Sequence, residues 1–182
     1  MLGPTLETER LILRPPLEAD FEGWAELLGN AESSGYIGGP LERSAAWRAM
    51  AAMTGSWWLR GHGMFSVVEK SSGRWIGRLG PWYPEGWPGT EVGWGLMKSA
   101  WGKGYATEGS RALIDMGFTT SDIARVVAET MVVHTASRRV MEKAGLRLVR
   151  TFHADWPVRV LGDEHGDVEY VVTREEWEAQ RA

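Results

Sequence analysis

A glycine-punctuated segment, Met97-Lys98-Ser99-Ala100-Trp101-Gly102-Lys103-Gly104-Tyr105-Ala106-Thr107-Glu108, lies between a strand-like run ending at Leu96 and a helical run continuing to Phe118. A turn that opens directly into a helix points several unpaired backbone N–H groups at one place, with the positive end of the helix dipole behind them. The chemistry such a turn offers is anion binding, and phosphate above all. Gly102 and Gly104 carry no Cβ, so a phosphate can approach the backbone closely. The next strand-to-helix junction is His134-Thr135-Ala136-Ser137-Arg138-Arg139. The strand that feeds the glycine turn begins at Glu91, a carboxylate placed either to act as a base or to sit in an exposed ion pair.

Together the two junctions resemble the GNAT superfamily of acetyl-CoA-dependent N-acetyltransferases, most closely its ribosomal-protein N-terminal acetyltransferase-like branch. The first family motif is Gln/Arg-x-x-Gly-x-Gly/Ala, and Trp101-Gly102-Lys103-Gly104-Tyr105-Ala106 fits it except at the first position. The form common in that branch, Trp-Gly-x-Gly-Tyr-Ala-Thr-Glu, is matched in full by Trp101 to Glu108. The second motif is Asn-x-x-Ser before an amphipathic helix ending in Gly. Ser137, Arg138, Val140, Met141, Glu142, Lys143, Ala144 and Gly145 fit, and His134 stands where Asn is usual. The opening Thr8-Glu9-Arg10-Leu11-Ile12-Leu13-Arg14 is similar to the first strand of the branch.

The resemblance implies a mixed α/β fold with a central, mostly antiparallel sheet splayed in its middle and helices on both faces. It also implies transfer of an acetyl group from acetyl-CoA to an amine, by direct attack through a tetrahedral intermediate. In this family the backbone amides of the turn hold the pyrophosphate, which carries the role onto Lys103, Gly104, Tyr105, Ala106 and Thr107. The exposed backbone of Leu96, Met97 and Lys98 would pair with the pantetheine arm as a short pseudo-strand, a form of edge pairing that depends on main chain alone. Lys103 either adds charge there or is a solvated lysine. Trp101 replaces a polar side chain near the phosphates, and helix–sheet packing is its plainer role. For His134 three roles stay open: contact to the cofactor through an imidazole that donates and accepts, a plain loop histidine, or a catalytic base.

Acyl transfer to an amine needs a base for the ammonium proton and a donor for the leaving thiolate. A backbone N–H near the splay is also needed for the oxyanion. In the resembling branch a Glu-x-Gly-Tyr/Trp strand lines the acceptor cleft, here Glu91-Val92-Gly93-Trp94. Glu91 is therefore the candidate base, with Glu129 as a second. Ser137 is the candidate acid, placed near the thioester sulfur by the second motif, and equally placed to be a helix N-cap. Tyr170 is the alternative acid or a packing residue. A non-catalytic acyl-CoA-binding sensor or partner module of the same fold is the competing reading, separable by turnover with any amine. A nucleotide phosphate loop is excluded by the absence of Gly-x-x-x-x-Gly-Lys-Ser/Thr and by the late position of the turn.

The chain of 182 residues reads as one domain, large enough to bury roughly 70% of its unfolded surface. A net charge of −4 argues against nucleic acid as the main partner. There is no membrane-length apolar run and no signal pattern. The lack of cysteine excludes disulfides, thiolate metal sites and cysteine nucleophiles, and a cytoplasmic protein is expected. The other histidines, His62, His153 and His165, have no metal-ligand spacing, so no metal is expected. Small-molecule amines and peptide or protein N-termini are both candidate acceptors, and a homodimer is left open. Trp57, Trp58, Trp82 and Trp87 are expected to wall the acceptor cleft. The acidic stretch Asp163-Glu164-His165-Gly166-Asp167 either faces a cationic amine or is a solvated loop.

Periodicity supplies the elements that must position these groups. Leu6–Arg14 alternates as one strand, ended by Pro15-Pro16. Helical spacing covers Leu17–Leu28, and a second helix runs from an N-cap at Ser44 through Trp57 until Gly61 and Gly63 break it. Met64–Glu69 and Trp75–Leu79 form a hairpin about Ser71-Ser72-Gly73, and Gly80–Gly89 is loop or irregular edge. The remaining expectations are strands at Glu91–Leu96 and Arg125–Val133, helices at Ala106–Phe118 and Ser137–Ala144, and a closing strand pair at Leu146–Phe152 and Asp167–Val172.

Overall fold

The alternating N-terminal run folds as two short strands, β1 (Leu6–Glu7) and β2 (Leu11–Arg14), paired antiparallel, and not as one. The cause lies about a hundred residues away. The Glu108 carboxylate accepts bonds from the Thr8 hydroxyl, the Arg10 N–H (2.9 Å) and the Arg10 Nε (2.6 Å), pinning a turn between the strands. Residues 2–87, 89–154 and 159–181 are described by this computed structural model.

Helices α1 (Phe21–Gly29) and α2 (Ala31–Ser34) follow, then a 3-10 turn at Gly35–Ile37 and the long helix α3 (Arg43–Arg60). Glu42, not Ser44, occupies the N-cap of α3, and Ser44 lies in its first turn. Gly61 ends α3 with φ +74, a left-handed conformation that glycine adopts without strain. Consecutive residues of a helix point about 100° apart, which separates the neighbouring indoles. Trp57 enters the core and its Nε1 donates to the Met64 carbonyl (3.0 Å), whereas Trp58 is 82% exposed. Neither reaches the cleft described below, contrary to the expectation for this pair.

Strands β3 (Phe65–Glu69), β4 (Trp75–Trp82) and β5 (Glu91–Leu96) extend the first sheet in the order β1-β2-β3-β4-β5, every pair antiparallel. β4 continues through Gly80, Pro81 and Trp82, because Gly80 pairs with Gly93 and Trp82 with Glu91. Part of the Pro- and Gly-rich segment expected to be irregular is thus ladder, and Pro88 within it lies outside the described residues. The second sheet holds β6 (Arg125–Met131), β8 (Asp167–Thr173) and β7 (Arg147–Phe152) in the order β6-β8-β7. Helix α4 (Tyr105–Thr120) joins the sheets, α5 (Thr135–Lys143) follows β6, and α6 (Arg174–Ala179) closes the chain with a Thr173–Glu176 capping box.

No ladder joins β5 to β6 among the described residues. Val92 and Trp94 of β5 nonetheless pack against both neighbouring cores, one built on β2, β3, β4 and α4 and one on β6, β8, α4 and α5. A third core of Trp24, Leu28, Met50, Met53 and Met64 lies between α1, α3 and the first sheet. The expected splay in the middle of the strand array is the β5/β6 seam, with helices on both faces.

Candidate functional site

The glycine turn folds as its residue types require. Lys98–Ala100 is a 3-10 turn, Gly102 and Gly104 adopt φ +72 and +82, and Gly104 is the N-cap of α4 with no side-chain cap bond. The amides of Tyr105, Ala106 and Thr107 are first-turn donors with no carbonyl a turn earlier to bond. Those of Gly102, Lys103 and Gly104 have no hydrogen-bond acceptor among the described residues. A Cβ on Gly102 would meet nothing within 4 Å, so the cradle is open. Its outer side is held by Arg10, whose Nη1 donates to the Lys103 carbonyl (2.9 Å) and whose guanidinium lies 4.6 Å over the Tyr105 ring. Tyr105 itself is buried and donates its hydroxyl to Glu69. This donor set and glycine geometry suit a pyrophosphate.

At the seam the main chain is more occupied than expected. The Met97 N–H bonds the Ile76 carbonyl (2.9 Å), so by strand alternation the Leu96 N–H and C=O face the open edge. Trp101 is 44% exposed and is not packed between helix and sheet; its indole N–H donates to that Leu96 carbonyl at 2.8 Å. The Met97 and Lys98 carbonyls accept from Ala100 and Trp101 N–H groups. The Leu96 carbonyl keeps one lone pair for a ligand, and the Leu96 N–H stays free to donate.

A cavity of about 360 Å³ opens beside the seam. Glu91, Glu129, Asp167, His134 and Ser137 line it together with Trp82, Trp87 and Trp94. Burial pushes the Glu91 carboxyl up to about 8, the negative charge of Glu129 adds to the rise, and the backbone of Glu129 partly offsets it. Glu129 rises to about 7 through burial and the adjacent Glu169 and Asp167, with Arg150 opposing. Each carboxyl therefore titrates near neutrality, where a base for an ammonium is most effective.

Ser137 is 6% exposed, lies in the first turn of α5, and its hydroxyl has no hydrogen-bond partner among the described residues. It is not the N-cap: that place is taken by His134, again without a side-chain cap bond. The His134 ring stacks on Tyr36 with centroids 3.8 Å apart, and its Nδ1 lies 3.1 Å from the Thr130 hydroxyl. Burial lowers His134 to about 4, so the ring is neutral over the physiological range. Tyr170 is 1% exposed, donates to Glu142 (3.0 Å), accepts from Arg138 (3.2 Å), and does not line the cavity. Its hydroxyl is engaged by packing partners in this arrangement.

Of the acidic stretch, only Asp167 reaches the cavity; Asp163 pairs with Arg159 (2.6 Å) and Glu164 is exposed. The residue that sequence reasoning missed is Arg78. An arginine at a polar position of a short alternating strand reads as solvent-facing, yet this one is 5% exposed and lines the cavity.

The acetyltransferase (GNAT) domain family matches residues 10–147. The FsC-acetyl coenzyme A-N(2)-transacetylase of Aspergillus fumigatus is 42% identical over 88 residues, 48% of this chain and 37% of that protein. The uncharacterized N-acetyltransferase p20 of Bacillus licheniformis is 31% identical over 140 residues, covering 75% of this chain and 79% of that one. The chain thus spans little more than a third of the fungal relative and most of the bacterial one. The acetyltransferase of Agrobacterium tumefaciens superposes with a TM-score of 0.77 at 30% identity, over 93% of this chain and 94% of its own. A RimL ribosomal L7/L12 alpha-N-protein acetyltransferase in complex with coenzyme A, at 18% identity and TM-score 0.78, shares the fold. By its motifs, its split sheet and these likenesses, the chain belongs to the GNAT acetyltransferase family, whose members take an acetyl group from acetyl-CoA.

Proposed function

We propose that the protein is an N-acetyltransferase in which Glu91 takes a proton from the acceptor ammonium and Ser137 returns one to the departing thiolate. Acetyl-CoA would supply the acetyl group as an activated thioester, its pyrophosphate held by the amides from Lys103 to Thr107. The amine nitrogen bonds the acetyl carbon and the carbon–sulfur bond breaks. The first ammonium proton passes to Glu91 and on to solvent, while the second, shed by the nitrogen of the tetrahedral intermediate, restores the Ser137 hydroxyl that protonated the thiolate. The observation that carries this reading is the pair of carboxyls raised to about 8 and about 7 in one cavity with the unengaged Ser137 hydroxyl. The charge of Glu129 raises Glu91, so Glu129 tunes that base as well as offering a second.

His134 takes the place of the usual Asn, using its remaining ring nitrogen toward the pantetheine arm. The Trp101–Glu108 match supports placement in the ribosomal-protein N-terminal acetyltransferase-like branch, acting as one domain in the cytoplasm. Among the described residues no helix is long and apolar enough to cross a membrane. Calorimetric titration with acetyl-CoA, with ATP as control, tests the reading, followed by CoA release with an amine panel. Micromolar binding of acetyl-CoA alone is expected. Absence of that binding, or binding without turnover on any amine, would overturn it, the second outcome in favour of a sensor module.

A further inference from the structure

Arg78 lies on the same face of the β4–β5 ladder as Glu91. Its register partner is Gly95, and Trp82 pairs with Glu91 at the other end, so alternate residues place Arg78, Gly80 and Trp82 beside Gly95, Gly93 and Glu91. Between the two charged residues this face carries only glycine on β5 and β4. Along the strand the ends are roughly 13 Å apart, a span that separates them as two poles of one cavity.

The guanidinium is buried without an acidic partner among the described residues. Nη1 reaches only the Met53 sulfur (3.3 Å), Nε has no acceptor, and the plane lies 5.7 Å from the Trp24 ring. Burial alone pulls Arg78 down to about 10, which leaves it charged at neutral pH. A buried cation without a counter-charge is costly, and proteins keep one where a ligand supplies the anion. The surrounding wall is apolar: Met53, Met64 and Ile37. One cation in such a wall suits one negative charge. Arg78 lines the cavity, and a single guanidinium there matches a carboxylate better than a dianionic phosphate, which it would leave undercompensated.

We infer that the acceptor is an amine that also carries a carboxylate, with Arg78 binding the carboxylate while the acidic pole at Glu91 and Glu129 receives the ammonium. The inference rests on the acetyltransferase reading of this same cavity and narrows its substrate class to small zwitterions of the amino-acid kind. A peptide N-terminus, which has no carboxylate at that distance by necessity, is disfavoured.

Acceptor KM is measured for α-amino acids and for ω-amino acids of increasing length, each against the amine lacking the carboxylate. Wild type should favour the carboxylate-bearing partner of at least one pair tenfold or more, and Arg78→Met should erase that preference. Arg78→Lys, which keeps charge and loses the fork, should fall between. Arg78→Met should also melt at or above the wild-type temperature, since an unpaired buried charge is removed. Equal KM values within every wild-type pair, or a preference that survives Arg78→Met, would overturn the inference. If Arg78→Met does not fold, Arg78→Lys and a binding-only measurement decide it. Without acetyl-CoA, the preferred amino acid should raise the wild-type melting temperature and its decarboxylated amine should not; no difference sinks the idea. A failed acetyl-CoA titration strikes the acetyltransferase reading alone, because the melting shift does not depend on it.

Discussion

Glu129 and Glu169 face each other directly across the β6–β8 ladder, and Arg150 on β7 reaches both, at 3.9 Å and 2.7 Å. Two like charges in register repel, and the strand pair tolerates them through that guanidinium and through the raised proton affinity of Glu129. Arg150 thus moderates the rise of Glu129 that burial and Glu169 produce. Arg150→Gln removes the opposing positive charge and should push Glu129 further up. A Glu129 that stays neutral repels the Glu91 charge less, so Glu91 should not follow it. With Glu91 as the base, the pH at half-maximal kcat/KM should therefore hold or fall by up to about half a unit. A rise would make Glu129 the base.

Replacing Glu91 with Gln should lower kcat by about a hundredfold or more, the usual contribution of a positioned base, with acetyl-CoA affinity retained. A stability effect accompanies it. The folded-state carboxyl is raised from the ordinary range to about 8, so the folded state favours its protonated form. Ionisation therefore costs stability as pH rises past the unfolded value, and that cost is complete only above about 8. Glu91→Gln should raise the melting temperature by several degrees at pH 9 and by little at pH 5. Equal gains at both pH values would remove the titration as their cause.

His134→Asn should bind acetyl-CoA as well as wild type or better, and the affinity of either protein should be flat from about pH 6 to pH 9. The ring is depressed to about 4 by burial, so it stays neutral across that range. The sign for stability is opposite to that of a paired histidine: the folded state resists protonation, and stability falls as pH drops from the unfolded value through about 4. Melting curves should therefore show the Asn variant less acid-labile over that window. Complete loss of turnover with binding intact would point instead to a catalytic imidazole.

Gly104→Val should weaken acetyl-CoA binding at least tenfold, with Gly104→Ala between. Gly104 holds φ +82 at the N-cap of α4, a conformation that a β-branched residue reaches only with strain, so the cradle amides would turn away. Calorimetry reads the affinity directly, and an unchanged value would mean that the pyrophosphate sits elsewhere.

Local chemistry and period were legible from the chain itself. Gly102, Gly104 and the helical run behind them specify an anion cradle whatever surrounds them, because φ and the orphan amides are properties of a few consecutive residues. The periodicity gives β5 its full extent, Glu91–Leu96, and Ser137 lines the cavity. What tertiary structure decided depends on partners distant in sequence. The break between β1 and β2 is fixed by Glu108, the roles of Trp57 and Trp58 by which side of α3 meets the sheet, and the commitment of Tyr170 by Arg138 and Glu142. Arg78 shows the limit most clearly. Its residue type argues for solvent, and only the packing of α1 and α3 over its strand turns it into a buried charge facing a cavity. Burial and pairing are sums over neighbours that the fold assembles, so the basicity of Glu91 and Glu129 could not be read before those neighbours were in place.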